Sequence, residues 1–472
     1  MKRLIAALAA VAVVPAFGAS PIWGDLLKKG IDAAERELKN QQSQKPATPQ
    51  PAPAATREKP AAVQATPPAA SEAAASQPQA PASQPQAPAA RAQDKPAQEA
   101  SAPPDSASGE LLPLRRIPLI VGEMGANFLV EVDGTVKSWG SPQGDATYLG
   151  DGTEGSRKEP MPIPGLRDIV DAAIGPGHAL LLARNGTVLT WGRNRSCELT
   201  VKDDRKRLTP FPVIGVRNAV QVAAGHMFSA AVLRDGTVMV WGTNDGGLLA
   251  NGRAGWGEPC AYTPVPVEGL SGVKKLVVNS SVLVLKQDGT VWGWGPNRGG
   301  ELCDGTTERR NRPVQMKGIA NAVDIDTDNN NSTFVLADGT VWRCGSIAKE
   351  EMEMAKKQAP ESGKFTTPVK IAGISNAVAV RSAAPTMVRL KDGTLLGWGS
   401  GIFGALGNGR IDGFFKPAAP IGLGSVLEHY WASNSAYAIK ADGTVMAWSF
   451  YVGGPKEWQL TPTEWRKVKL AD

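Results

Sequence analysis

Histidine is scarce, with three residues in a chain of 472. His178, His226 and His429 stand far apart, so they offer no imidazole pair for acid–base work and no ligand set with metal-site spacing. Tyrosine (5) and phenylalanine (10) are also few, yet tryptophan reaches 13. That inversion implies that one structural role for tryptophan is used many times. The net charge of +6 is small for the length, and no basic stripe gathers it. A nucleic-acid partner is therefore not expected, and nor is a cofactor. The longest apolar run, Leu4–Val14, is short for a bilayer span.

Met1-Lys2-Arg3, the apolar run and the small residues Pro15–Ser20 together read as a secretory signal over residues 1–19. Its removal would leave no stable membrane span and would place the chain in the periplasm or outside the cell. Residues 20–40 hold a short amphipathic segment, with Ile22, Leu26, Leu27 and Ile31 on one side. Residues 41–110 are rich in Ala, Pro, Gln and Ser, with too little apolar surface to offset the entropy of ordering. They read as a disordered tether made partly stiff by proline.

Residues 111–472 are dominated by one repeated phrase. Asp-Gly-Thr-Val, followed two residues later by Trp-Gly, occurs at Asp133–Gly140, Asp235–Gly242 and Asp288–Gly295. Near copies lie at Asn185–Gly192, Asp338–Gly345, Asp392–Gly399 and Asp442–Ser449. The turn glycines Gly134, Gly186, Gly236, Gly289, Gly339, Gly393 and Gly443 are spaced by 52, 50, 53, 50, 54 and 50 residues. A constant period of this length marks a repeat architecture. Asp-Gly between two apolar segments is a hairpin turn. In the third copy, Val220–Ala224, Phe228–Leu233, Thr237–Trp241 and a proline-bearing outer strand at Pro264–Val267 make four short antiparallel strands.

Such a sheet buries both faces only if its copies stack radially. The Val of the phrase and the Trp three residues on point to opposite sides, so each blade has apolar contact for two neighbours. Trp139, Trp191, Trp241, Trp294, Trp398 and Trp448 are accordingly core residues. In the fifth copy Cys344 takes the tryptophan slot, with Trp342 on the same side to compensate. The expected fold is all-β: a seven-bladed β-propeller of four-stranded antiparallel blades, preceded by the tether.

The repeated phrase, Asn244-x-x-Gly247-x-Leu249, Asn297-x-x-Gly300-x-Leu302 and Gly404–Gly409 resemble the regulator of chromosome condensation repeat family. The resemblance covers residues 115–470 and implies seven blades of about 50 residues. It also implies roles that range from nucleotide exchange on a small nuclear GTPase and chromatin association to inhibition of β-lactamases by secreted members. A signal sequence removes this chain from the nuclear roles. The family's Gly-x-x-His element survives only at Gly175–His178, and His178 is expected to be structural.

Sites on a repeat fold lie where the repeat is broken. Blade two carries a charged loop with Arg193, Arg195, Arg205 and Arg207. Blade three adds Trp256, and the insert after blade five adds Glu350 and Glu351. These loops should emerge on one side of the ring and form a partner-binding rim. Asp324, Asp326 and Asp328 have the spacing of a calcium loop but lack its glycine and closing glutamate. Their place on a first strand would instead put them at the channel.

Cysteines in an exported chain should pair; Cys260 with Cys303 is the first expectation, with Cys344 a buried thiol. The function expected is extracytoplasmic protein–protein interaction without catalysis. An envelope glycan-binding protein or hydrolase using channel carboxylates, and a structural envelope component, are the alternatives. The partner is an unidentified extracytoplasmic protein.

Overall fold

The computed structural model describes residues 110–142, 148–254, 258–346, 363–383, 385–400, 404–411, 413–433, 435–449 and 459–471. The signal sequence, the amphipathic segment and all but the last residue of the tether lie outside them. In the first blade, β1 (Leu119–Glu123), β2 (Ala126–Val130), β3 (Val136–Gly140) and β4 (Arg157–Pro162) pair antiparallel in chain order. The same arrangement recurs six times: β5–β8 (169–212), β9–β12 (219–266), β13–β16 (273–315), β17–β20 (322–370), β21–β24 (377–418) and β25–β28 (428–467). The described residues thus form the expected propeller. No described helix is long and apolar enough to cross a membrane.

The repeated phrase does two jobs in each turn. Asp133 Oδ1 accepts the Thr135 backbone N–H at 2.9 Å and the Thr135 hydroxyl at 2.7 Å, which closes the hairpin. The carbonyl of Gly134 then accepts the N–H of Ile169 at 3.0 Å, at the start of the next blade. Gly186, Gly236, Gly289, Gly339 and Gly393 repeat this blade-to-blade bond at 2.9–3.1 Å. Glycine is needed here for two reasons. At Gly236 φ is +78°, and an added Cβ would lie 2.9 Å from the Gly272 Cα. Any side chain would force the next blade away.

Packing follows the alternation in the phrase. Val238 belongs to the cluster between blades three and four, whereas Trp241 belongs to the one between blades two and three. Trp294 and Val291 divide in the same way between adjoining interfaces. All six tryptophans of the slot are fully buried. Trp342 packs against the cluster that holds Cys344, as the fifth copy requires.

The first strands line the channel and neighbour one another around the ring. Blade seven meets blade one through a parallel bridge between Gly122 and Ala432, so these two blades share one eight-stranded sheet. Among the described residues no blade borrows a strand, because every sheet keeps chain order. The seam is instead tied by Tyr430 Oη, which donates to Pro118 O at 2.7 Å, and by Ala471 N–H, which donates to Arg116 O at 3.0 Å.

Candidate functional site

Chain order fixes two unlike ends of the propeller. The hairpins between second and third strands, with the Asp-Gly-Thr turns, lie at one end. The loops between third and fourth strands lie at the other, the loop face, as the sequence implies. The blade-two loop is organised by one buried side chain. Asn194 Oδ1 accepts the Leu199 N–H at 2.9 Å, while its amide donates to the carbonyls of Val201, at 2.8 Å, and Asp203. Asn244 and Asn297 hold the same bond in blades three and four, to Leu249 at 3.0 Å and Leu302 at 2.9 Å. These asparagines open the Asn-x-x-Gly-x-Leu motif and explain it.

The loops of blades one, two, three and six then meet the next blade through tryptophan. The indole N–H of Trp241 donates to Glu198 O at 2.8 Å, Trp294 to Leu248 O at 2.8 Å, Trp191 to Tyr148 O at 2.8 Å and Trp448 to Ala405 O at 2.9 Å. The slot thus supplies a polar staple as well as bulk. Sequence reasoning found the burial and missed the staple, although the loop residue lies a nearly constant distance upstream. Among the described residues the indole nitrogens of Trp139 and Trp398 have no partner, and the loops that precede them in the repeat, around 450–458 and 347–362, lie outside those residues.

The disulfides correct the expected pairing. Cys197 bonds Cys260, with Cα atoms 5.9 Å apart, and Cys303 bonds Cys344, at 6.0 Å. Cys260 and Cys303 are not joined, and Cys344 is not a free thiol. The first bond ties the blade-two loop to the entry of the blade-three outer strand. The second ties the blade-four loop to the blade-five third strand. Cys344 therefore replaces the missing tryptophan staple with a covalent one between the same two elements.

The arginines of blade two separate into two groups. Arg193 leans over Gly177, where an added Cβ would meet its guanidinium at 2.6 Å. Arg195 is exposed. At the outer end of the loop, Arg207 is half-buried and its Nη2 donates to Asp203 Oδ2 at 2.8 Å, while Arg205 is exposed. Arg193 and Arg195 both act on Glu198, whose carboxyl is pushed up by burial and drawn back by these charges. Trp256, Glu350 and Glu351 lie outside the described residues.

His178 is buried, and its Nε2 shares a 2.8 Å hydrogen bond with Ser229 Oγ of the next blade. Burial, and then the charge of Arg193, lower its pKa to about 3. A neutral imidazole clamped between blades is a structural residue, as expected. Among the described residues its Nδ1 has no partner.

The acidic strand β17 (Ala322–Thr327) does face the channel, but its carboxylates are engaged. Lys275 Nζ donates to Asp324 Oδ1 at 2.5 Å, and Val380 N–H donates to Asp324 Oδ2 at 2.8 Å. Ser382 N–H donates to Asp326 Oδ2 at 2.8 Å. Asp328 accepts Asn331 Nδ2 at 2.9 Å and Arg343 Nη2 at 3.1 Å. Burial opposes the Asp324 charge, but Lys275 and Arg381 outweigh it and hold this carboxyl low; for Asp326 burial prevails and raises it. The pair is a tie between blades five and six. Among the described residues no group of three or more His, Cys, Asp or Glu is placed to hold a metal ion.

Models of the regulator of chromosome condensation (RCC1) repeat match residues 185–232 and 169–196. The chain is 28% identical over 214 residues to E3 ubiquitin-protein ligase HERC2 of Homo sapiens, a stretch covering 43% of this chain and 4% of that protein. The Mus musculus protein matches equally. Prp20p of Saccharomyces cerevisiae, solved in work on its binding to Gsp1p and histones, superimposes with a TM-score of 0.59 at 21% identity, covering 74% of this chain and 87% of that one. Human WBSCR16 gives 0.58 at 19% identity, covering 70% and 93%. With seven copies of the repeated phrase in register around a closed ring, the chain carries the regulator of chromosome condensation repeat at residues 169–232 and folds as a propeller similar to Prp20p.

Proposed function

We propose that this chain is an extracytoplasmic protein-binding propeller that meets its partner through the loop face of blades two and three. The observation that carries this reading is the fixed blade-two loop. Asn194 and the Cys197–Cys260 bond anchor its first half and the Arg207–Asp203 pair its far end, while Arg195 and Arg205 stay exposed. A preordered charged loop loses little entropy on docking, which favours recognition. Related propellers support the class of partner: yeast Prp20 was solved bound to Kap60, and Prp20p binds Gsp1p and histones. The amino-terminal signal pattern and the pairing of all four cysteines support an oxidising compartment outside the cytoplasm.

The hydrolase alternative needs a carboxyl pair open to substrate. Asp324 and Asp326 spend their oxygens on the blade-six backbone and Lys275, which leaves that reading without a supporting observation. Crosslinking and affinity capture of the mature protein from its native envelope fraction tests the binding reading. A reproducible protein partner, lost with R195E/R205E, is expected. Recovery of no such partner overturns it.

A further inference from the structure

The turn end of the ring carries a second feature. Residues 110–114 lie there across blades two and three as an extended strap. Leu112 N–H donates to Arg184 O at 2.8 Å, Arg184 Nε returns a bond to Leu112 O at 2.8 Å, and Arg234 Nη2 donates to Glu110 O at 2.6 Å. Leu112 and Leu114 pack on the cluster that contains Val170.

Val170 sits where the first strand β5 (Ile169–Ile174) bulges, between Ile169 and Asp171. The same shift occurs at Val323 in blade five and at Val378 in blade six. A bulge turns its extra residue out of the ladder. Val170 is 7% exposed, whereas Val323 and Val378 are 39% and 37% exposed. Leu336 and Leu390 are half-buried beside them, and Lys391 of blade six holds the repeat position that Arg234 holds in blade three.

We propose that the turn-end mouth between blades five and six docks an extended, leucine-bearing segment of a partner protein, in the manner of the chain's own strap. The repeat gives the second site the same backbone, a bulged valine and, in Lys391, the counterpart of Arg234, with Ala337 in place of Arg184; among the described residues only the first is filled from within. The adjoining linker 41–109 has Val63 as its sole aliphatic side chain beyond Ala and Pro, so it lacks the leucines the site takes. A partner's strand supplies them, with main-chain bonds giving affinity and alternate side chains giving specificity. The proposal rests on the protein-binding reading, but it uses the opposite end of the ring, so the two fail separately.

A fluorescently labelled peptide of residues 110–117 is the probe, titrated into the full chain and read by anisotropy. Saturable binding is expected, weakened at least tenfold by V323D/V378D and by K391E, and unchanged in R195E/R205E. Both valines are surface residues, so the fold should survive, and an unchanged thermal transition would verify it. Three results would overturn the proposal: no saturable binding, equal binding to the valine variant through exchange with the resident strap, or self-association of the chain through this patch in sedimentation.

Discussion

Trp241 and Trp398 share one slot of the repeat and, among the described residues, differ by a hydrogen bond. Both are fully buried, but of the two only Trp241 donates its indole N–H to a described residue, to Glu198 O. Trp241→Phe leaves that buried carbonyl with one donor fewer, and should cost about 1–3 kcal/mol more than Trp398→Phe, given the penalty for unpairing a buried polar group. Urea unfolding of the two variants measures the difference, and equal losses would show that packing alone fixes the slot. Glu301 offers a second residue-scale test. Burial raises its carboxyl to about 7. Between pH 4.5 and 7 the native state therefore holds a proton that the unfolded chain has released, so this group's contribution falls as pH rises. His178 acts oppositely: depressed to about 3, its contribution is complete above 6.5 and falls as pH drops. Burial raises Glu123 to about 7 as well, so Glu301→Gln should weaken the first trend without abolishing it and leave the second unchanged, as a pH series of thermal transitions will show.

At the scale of elements, the hairpins were legible because Asp-Gly-Thr encodes its own turn within three residues. The burial of the tryptophans was legible as well, from their odd spacing to valine. Cysteine pairing was not. Cys303 and Cys344 are 41 residues apart and Cys197 and Cys260 are 63 apart, and their meeting depends on which loop overlies which blade. The clue was the cysteine in the tryptophan slot, which reads correctly only once the slot is known to contact the preceding loop. Opening the Cys303–Cys344 bond with the double serine variant should lower stability by about 2–4 kcal/mol. The effect should be read by denaturant unfolding under non-reducing conditions. An unchanged midpoint would mean that the bond adds nothing to the contact between blades four and five.

For the whole molecule, a ring without strand exchange depends on its last strand. β28 (Gln459–Lys467) closes blade seven, and Trp465 packs against Trp139 and Tyr437 with ring centroids 5.2 Å away in each case. Removing residues 463–472 should therefore shift the unfolding of the entire propeller, and not of one blade only. The sequence identified this segment as the end of blade seven but left the seam open, because bonds such as Tyr430 to Pro118 join residues 312 apart. The binding rim was legible only in outline: loop composition marked blade two, but not which arginines its internal ion pairs occupy. Photo-crosslinking decides the functional claim most directly, with a photoreactive residue placed at 195, at 205 or at the outer-strand position 263 of the full chain in its native envelope. Adducts to one protein from 195 and 205, and none from 263, are expected; adducts from 263 alone, or equally from all three, would rule out binding through this loop.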